Sequence, residues 1–299
     1  MSILVVGSIA LDDVETPFGK VTNSPGGSAL YFSSAASFFA PVNMVGVVGQ
    51  DFNLSLLDFL KKRQVNLDGL KIEKGKTFRW GGRYHSNMNL RDTIYTHLNV
   101  FENFNPEIPE SYRDSQFVFL ANIDPELQLE VLRNIHRPRL TVLDTMNFWI
   151  SSKRQSLDKL IKLVDIIILN DEEICELTGI PSILQAARSL LYQGPKAIVI
   201  KKGEHGSVLV TKDDYFIAPA FPVEKVVDPT GAGDSFAGGF LGYLAECKSF
   251  NKMDLRRAVI YGTTIASFNV ESYSFDKLKV IQRKDIEERV EQLRQMVQF

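Results

Sequence analysis

Cysteine is nearly absent from this chain: Cys175 and Cys247 are the two in 299 residues. Two cysteines so far apart build no disulfide framework, and they point to a reducing compartment. Histidine is equally sparse, with four residues scattered at positions 85, 97, 136 and 205, none at metal-ligand spacing. An excess of one charge is missing too. Thirty-four Lys and Arg against 36 Asp and Glu leave a formal net charge of −2, which gives no electrostatic grip on nucleic acid or an anionic membrane. No apolar run approaches transmembrane length. The opening Met1-Ser-Ile-Leu-Val-Val-Gly7 lacks a basic segment, is too short for a signal core and soon meets Asp12-Asp13. The expectation is a soluble cytoplasmic protein.

Two common phosphate-binding motifs are also lacking. There is no G-x-x-x-x-G-K-S/T, and Gly231-x-Gly233 has no third glycine to complete a dinucleotide fingerprint. The second absence argues against a dinucleotide-dependent oxidoreductase on a doubly wound sheet. What remains is 44% hydrophobic and 23% charged residues. That composition and length suit one large α/β domain, or such a domain with a small appendage. No internal repeat, low-complexity tract or linker interrupts it.

The hydrophobic pattern divides the chain. Ile3–Val6 reads as a buried strand closed by Gly7, and residues 14–22 as a polar, extended excursion. Pro25-Gly26-Gly27 opens an uncharged helix over 28–40, Val42–Val48 is the next strand, and 51–63 an amphipathic helix with Asp51 as its N-cap. Between 77 and 99 the period changes. Phe78, Trp80, Gly82 and Tyr84 alternate with polar or small neighbours, and Thr93, Tyr95 and His97 do so after a loop. Such alternation predicts antiparallel strands covering one face, either a small sheet outside the main body or an ordinary edge hairpin.

From Gln116 onward strands and helices take turns. Strands at 117–120, 140–143, 166–169 and 197–200 alternate with helices at 124–135, 151–163, 171–178 and 182–192. This is the pattern of βαβ units and a parallel sheet with helices on both faces. A hairpin at 208–217 follows, and helices at 233–246, 253–269 and 284–297 close the chain.

The stretch Asp228-Pro-Thr-Gly-Ala-Gly-Asp-Ser-Phe236 carries the most chemistry. After a strand-like lead-in (Val226, Val227), Pro229 stops the strand, and Gly231 and Gly233 allow a tight turn into an apolar helix. Free N–H groups at a helix N-terminus bind anions. Asp234 stands in the same turn. A carboxylate beside a phosphate site is repulsive unless it takes a proton from a nucleophile; the plain alternative is a dipole-compensating cap. Other polar residues sit where ligands bind in open parallel sheets, beyond the carboxyl ends of the strands. They are Asp12 and Asp13; Gly26 and Gly27; Asn122; Asp144 and Asn147; Asn170 and Glu173; and Lys201, Lys202 and Gly203.

Taken together these segments resemble the ribokinase-like (PfkB) carbohydrate and nucleoside kinases over nearly the whole chain. The nonapeptide matches the family's second signature. Gly7-Ser-Ile-Ala-Leu-Asp12 resembles its N-terminal strand and acceptor aspartate, whose two oxygens suit a vicinal diol. Gly26-Gly27 resembles the glycine pair of the first signature, and Gly46-Val-Val-Gly49-x-Asp51 the segment after the next strand. Asn170-Asp-Glu-Glu173 matches the Asn-x-x-Glu motif near Mg²⁺, and Lys201-Lys-Gly203-x-x-Gly206 the nucleotide loop.

The resemblance implies a three-layer α/β/α fold over residues 1–299, with a mainly parallel sheet and a small β-sheet lid at about 13–24 and 76–100. It implies Mg-ATP-dependent phosphorylation of a hydroxyl on a neutral sugar or nucleoside. Asp234 would be the base, and the N–H groups of Gly231, Ala232, Gly233 and Asp234 the anion hole. Asp12, Gly26, Gly27 and Asn122 would bind the acceptor. Asn170, Lys201, Gly203, Gly206, Ala266 and Val270 would bind the nucleotide, and Glu173 would reach Mg²⁺ through water. A homodimer through the lid is a further expectation.

Three departures stand beside this. Tyr31 occupies the place of a family asparagine. Asp144-Thr-Met-Asn147 lacks the arginine that follows in kinases of acidic sugars. The segment Thr263–Glu271 lacks the usual Thr-Arg-x-Gly turn. Arg79, Arg83 and Arg91 keep a phosphosugar kinase open as the alternative, and a non-catalytic nucleotide or sugar sensor is a second.

Overall fold

A computed structural model describes residues 1–298. The strands are β1 (Ile3–Val6), β2 (Ala10–Thr16), β3 (Gly19–Gly26), β4 (Val42–Gly49), β5 (Val65–Glu73), β6 (Phe78–Tyr84) and β7 (Arg91–His97). They continue with β8 (Phe117–Leu120), β9 (Leu140–Asp144), β10 (Ile166–Asn170), β11 (Ala197–Lys201), β12 (Ser207–Thr211) and β13 (Tyr215–Ala218). The helices are α1 (Ser28–Ala36), α2 (Asp58–Lys62), α3 (Pro125–Arg133), α4 (Asn147–Ser152), α5 (Arg154–Ile161) and α6 (Asp171–Thr178). After them come α7 (Ile183–Leu191), α8 (Ala232–Cys247), α9 (Lys252–Asn269), α10 (Asp276–Val280) and α11 (Arg283–Met296).

Nine strands form the main sheet in the order β13-β12-β11-β10-β9-β8-β1-β4-β5. From β11 to β5 every neighbouring pair is parallel, and β12 and β13 close one edge antiparallel. Successive side chains of a strand point to opposite faces, so each buried strand feeds two cores. Ile3 and Val5 pack with α1, α8 and α9, whereas Leu4 and Val6 pack with α3, α5, α6 and α7. Three layers result, as the sequence implies. The strand order turns at β1, and the crevice beyond its carboxyl end is where open α/β sheets bind ligands.

The second sheet has the order β3-β2-β6-β7. β2 and β3 form a hairpin, β6 and β7 form another, and β2 joins them by pairing parallel with β6. The aromatic alternation of 77–99 is therefore half of a separate four-stranded sheet standing beside the crevice, not an edge hairpin of the main sheet.

Local departures from the sequence reading have local causes. The helix expected over 51–63 is a 3-10 turn at Leu54–Leu57 followed by the short α2, and its cap is Asn53, whose Oδ1 accepts from Ser55 N at 3.1 Å. Asp51 is not a cap, because its Oδ1 is taken by Thr77 N and Oγ1, both at 2.7 Å. The helix expected over 151–163 breaks at Lys153 (φ −128°, ψ 32°) into α4 and α5. Val226 and Val227 form no strand, although Val227 N still donates to Val270 O at 2.7 Å. β5 carries too many polar residues to stand out as a strand, which suits its place at the sheet edge.

Candidate active site

The turn before α8 is built around one close contact. Gly231 has φ 73°, a left-handed conformation that glycine adopts without cost. A β-carbon there would lie 2.2 Å from Cγ of Tyr31, whose buried ring backs the turn and meets Phe275 edge-on. Asp228 fixes the entry to the turn, its Oδ1 accepting from Thr230 N at 2.9 Å and its Oδ2 from Ser274 N at 3.3 Å. Of the four N–H groups expected to form the anion hole, that of Ala232 donates to Pro229 O at 3.2 Å. Those of Gly231, Gly233 and Asp234 have no backbone acceptor among the described residues. They stand at the positive end of a 16-residue helix.

Four charged groups converge beside this turn from the ends of two strands and the first turns of two helices. Lys201 Nζ, at the end of β11, lies 3.4 Å from Asp144 Oδ1 at the end of β9 and against Gly233. Burial pushes the Asp234 carboxyl up to about 7; Asp144 and Glu173 add to the rise and Lys201 opposes it. Glu173 is likewise pushed up to about 7, mainly by burial, with Lys201 pulling it down and Asp144 raising it. Burial also raises Asp144 against the pull of Lys201. Burial favours the neutral amine of Lys201, but Asp144, Glu173 and Asp234 outweigh it and hold the ammonium above its usual range. A carboxylate that titrates near neutrality beside N–H donors with no backbone acceptor is suited to general base work at an anion site.

Asn170 and Glu173 form a reciprocal capping box on α6. Asn170 Oδ1 accepts from Glu173 N, and Glu173 Oε2 from Asn170 N, both at 2.7 Å. The Asn170 oxygen is thus spent on the helix, while Glu173 is buried and its second oxygen has no hydrogen-bond partner among the described residues.

A cavity of about 690 Å³ opens from the turn. Lys201, Gly203, Gly206, Ala266 and Val270, all read from the sequence as nucleotide residues, line it together with Ala232 and Gly233. Asn170 does not line it. Its apolar wall includes Phe221, Val223 and Phe236, and the β6–β7 loop, Ser86–Asn89, lines its mouth.

The residues expected to bind the acceptor, Asp12, Gly26, Gly27 and Asn122, do not line this cavity. Asp12 is 4% exposed, and its carboxyl is pushed well above the usual range by burial and then by Asp228, Asp234 and Asp13. Gly26 is paired to the same strand, where a β-carbon would fall 1.9 Å from Asp12 Oδ2; Gly27 leads into α1. Asn122 is not hydrogen-bonded to any of these residues. Its Oδ1 is buried just past the end of β8 without a partner among the described residues.

Register places Asp12 opposite Trp80 across β2 and β6, so the two side chains share a face of the small sheet. The indole lies over Gly82, and the Arg91 guanidinium stands 5.1 Å from its ring centre. Tyr84, on that same face, accepts from Thr230 Oγ1 at 3.1 Å and so ties the small sheet to the turn before α8. The opposite face is occupied by ion pairs and polar contacts: Arg79 with Asp51 at 3.1 Å, Arg83 with Glu15 at 3.0 Å, and Tyr95 OH donating to Asp13 Oδ2 at 2.7 Å.

Sequence reasoning read Tyr84 only as a lid aromatic that could stack on a base and Asp144 only as a strand-end polar residue, and it gave Thr230 no role of its own. Asp144 had a signal, its place after a buried strand; Tyr84 had only its phase in the alternation.

Comparison with known proteins agrees with this geometry. The family model described as pfkB family carbohydrate kinase matches residues 2–277. A cytidine kinase of Thermococcus kodakarensis is 34% identical over 259 residues, 83% of this chain and 92% of that protein. A nucleoside kinase of Methanocaldococcus jannaschii is 28% identical over 90% of each chain. Among solved structures, the nucleoside kinase of Burkholderia thailandensis in complex with inosine superposes with a TM-score of 0.76 at 18% identity, covering 97% of this chain and 98% of that one. The chain belongs to the pfkB family of carbohydrate kinases.

Proposed function

We propose that this kinase transfers the γ-phosphoryl group of ATP to the 5′-hydroxyl of a nucleoside. The observation that carries the choice of acceptor is the register pair Asp12 and Trp80 on one face of the small sheet, next to Asp234. A carboxylate accepts from both hydroxyls of a vicinal diol, and an indole stacks on a base. A ribonucleoside offers both groups, and once its 2′,3′-diol is held, the hydroxyl left to react is the 5′. Two of the three arginines that would favour a phosphosugar acceptor are not available to it. Arg79 and Arg83 are committed to carboxylates on the far face.

Asp234 takes the proton of that hydroxyl as its oxygen forms a bond to the γ-phosphorus, and the bond from phosphorus to the β-phosphate oxygen breaks to release ADP. The N–H groups of Gly231, Gly233 and Asp234 and the Lys201 ammonium stabilise charge on the transferring group, which is most of what phosphoryl transfer requires. The adenine side of ATP fits the apolar wall near Ala266 and Val270, with Gly203 and Gly206 allowing close approach to the ribose and phosphates. The small sheet acts as a lid that keeps water from the γ-phosphate.

Mg²⁺ fits this site as an ion shared with the polyphosphate. No group of three or more acidic, His or Cys residues among the described residues would cage it. Mg²⁺ ordinarily keeps water and substrate phosphates as ligands, and the free oxygen of Glu173 is placed to accept from such a water. When bound, the ion neutralises the polyphosphate charge.

No helix among the described residues is long and apolar enough to cross a membrane. With Cys175 and Cys247 both free, this supports a cytoplasmic enzyme. Leu90, Ile94 and Leu98 are exposed on and beside the lid-edge strand β7, which supports a lid-to-lid dimer measurable by light scattering.

Coupled ADP release with cytidine, uridine, adenosine, inosine, ribose and fructose 6-phosphate tests the acceptor. At least one nucleoside should exceed ribose in kcat/KM by about tenfold or more, the value of one good stacking contact. A preference for ribose or fructose 6-phosphate would overturn the proposal.

A further inference from the structure

The lid carries three arginines, and they are not alike. Arg79 and Arg83 are neutralised on its outer face by Asp51 and Glu15. Arg91 pairs in register with Tyr84, on the inner face, and no carboxylate among the described residues lies within ion-pair distance of it. Its guanidinium stands over the Trp80 ring and beside the Tyr84 hydroxyl, and it lowers the pKa of that hydroxyl against the dominant effect of burial. Tyr84 in turn is hydrogen-bonded to Thr230, the residue before Gly231. The loop just ahead of Arg91, Ser86–Asn89, lines the mouth of the nucleotide cavity, and Asn89 Nδ2 donates to Glu204 Oε1 across that mouth at 3.0 Å.

An unpaired cation placed between an acceptor face and an anion turn has one evident use. We propose that Arg91 binds the γ-phosphoryl oxygens of ATP when the lid is closed and stabilises their charge during transfer, making it a catalytic residue supplied by the lid. Its planar fork suits two oxygens of one phosphoryl group. Trp80 and Tyr84 hold the guanidinium on the inner face, so closing the lid over the acceptor delivers the charge. The arrangement would couple acceptor binding to phosphoryl transfer and suppress hydrolysis of ATP while the lid is open.

The inference rests on the kinase reading of the cavity but not on the choice of acceptor, and its test separates the two. Arg91→Met, Arg91→Lys and the outer-face control Arg83→Met are compared with wild type. Calorimetry gives Kd for ADP and for a β,γ-methylene ATP analogue, with and without cytidine, and coupled ADP release gives kcat. Arg91→Met should leave ADP binding unchanged and weaken the analogue about tenfold or more, the loss of a charge-assisted contact. Its kcat should fall about 100-fold or more, as when one donor to a transition-state anion is removed. Arg91→Lys should recover part of both, and Arg83→Met should behave as wild type. Equal weakening of ADP and analogue, or a kcat within about threefold of wild type, would overturn the proposal. So would an effect confined to KM for a phosphorylated acceptor, which would assign Arg91 to the acceptor instead. The binding measurements need no turnover, so a wild-type protein inactive on nucleosides would overturn the acceptor assignment alone.

Discussion

The ring of Tyr31 occupies the space that a side chain on Gly231 would need, its Cγ lying 2.2 Å from the position of a β-carbon there. The anion turn is therefore pressed onto α1 from below, and its N–H groups are held in place by packing as well as by the dihedral angles of glycine. Gly231→Ala would meet both obstacles, the ring and the φ of 73°. We expect a folded protein destabilised by about 1–3 kcal/mol, the usual cost of a strained backbone residue. Its kcat should be lower by about 100-fold or more, because the donors no longer point at the phosphoryl group. Thermal unfolding and steady-state kinetics on the same preparation check this.

Asp12 should divide the two substrates. It is buried beside the lid, away from the nucleotide cavity, so Asp12→Ala should raise the KM of the nucleoside by about 100-fold, as expected for losing hydrogen bonds to a charged group, and leave the KM of ATP nearly unchanged. Equal changes in both would remove Asp12 from the acceptor site. Arabinosyl nucleosides, whose 2′-hydroxyl is inverted, provide a second check, since they should be poor substrates of the wild type.

The raised titration of Asp234 has opposite consequences for rate and for stability. The base form is needed, so kcat/KM should rise with pH through about 7 and level off above it. Glu173 titrates in the same range, and the limb belongs to the cluster as a whole. For stability the sign reverses. A carboxyl whose folded pKa lies above its unfolded value favours the folded state only while protonated. Its contribution is full below the unfolded pKa and declines as pH rises toward about 7. Asp234→Asn should therefore raise the melting temperature of the nucleotide-free protein at pH 8 and leave it little changed at pH 4. A lower melting temperature at pH 8 would show that the Asp234 charge stabilises the fold.

Much of this site could be read from the sequence because its parts are contiguous. The turn Asp228–Asp234, the loop from Lys201 to Gly206 and the box Asn170–Glu173 each fix their geometry within a few residues. The alternation of 77–99 likewise announced strands. What escaped depends on contacts between distant segments. Nothing local to Asp144 marks it as the partner of Lys201, 57 residues away, and nothing local to Tyr84 marks it as the partner of Thr230, 146 residues away. The helix break at Lys153 and the commitment of Asp51 to Thr77 were hidden for the same reason, because periodicity reports which face is apolar and says little of which polar partner competes for a cap. The pairing of Asp12 with Trp80 needed the register of a parallel strand pair, which no sequence pattern supplies.

The most direct test is Asp234→Asn assayed for ADP release with cytidine and ATP, alongside calorimetric titration of ATP into the same protein. If Asp234 is the base, turnover should fall by about 100-fold or more, while ATP still binds with a Kd close to that of wild type. Retained turnover, or a folded variant that no longer binds ATP, would contradict the mechanism and leave Asp234 as a structural cap of the phosphate turn.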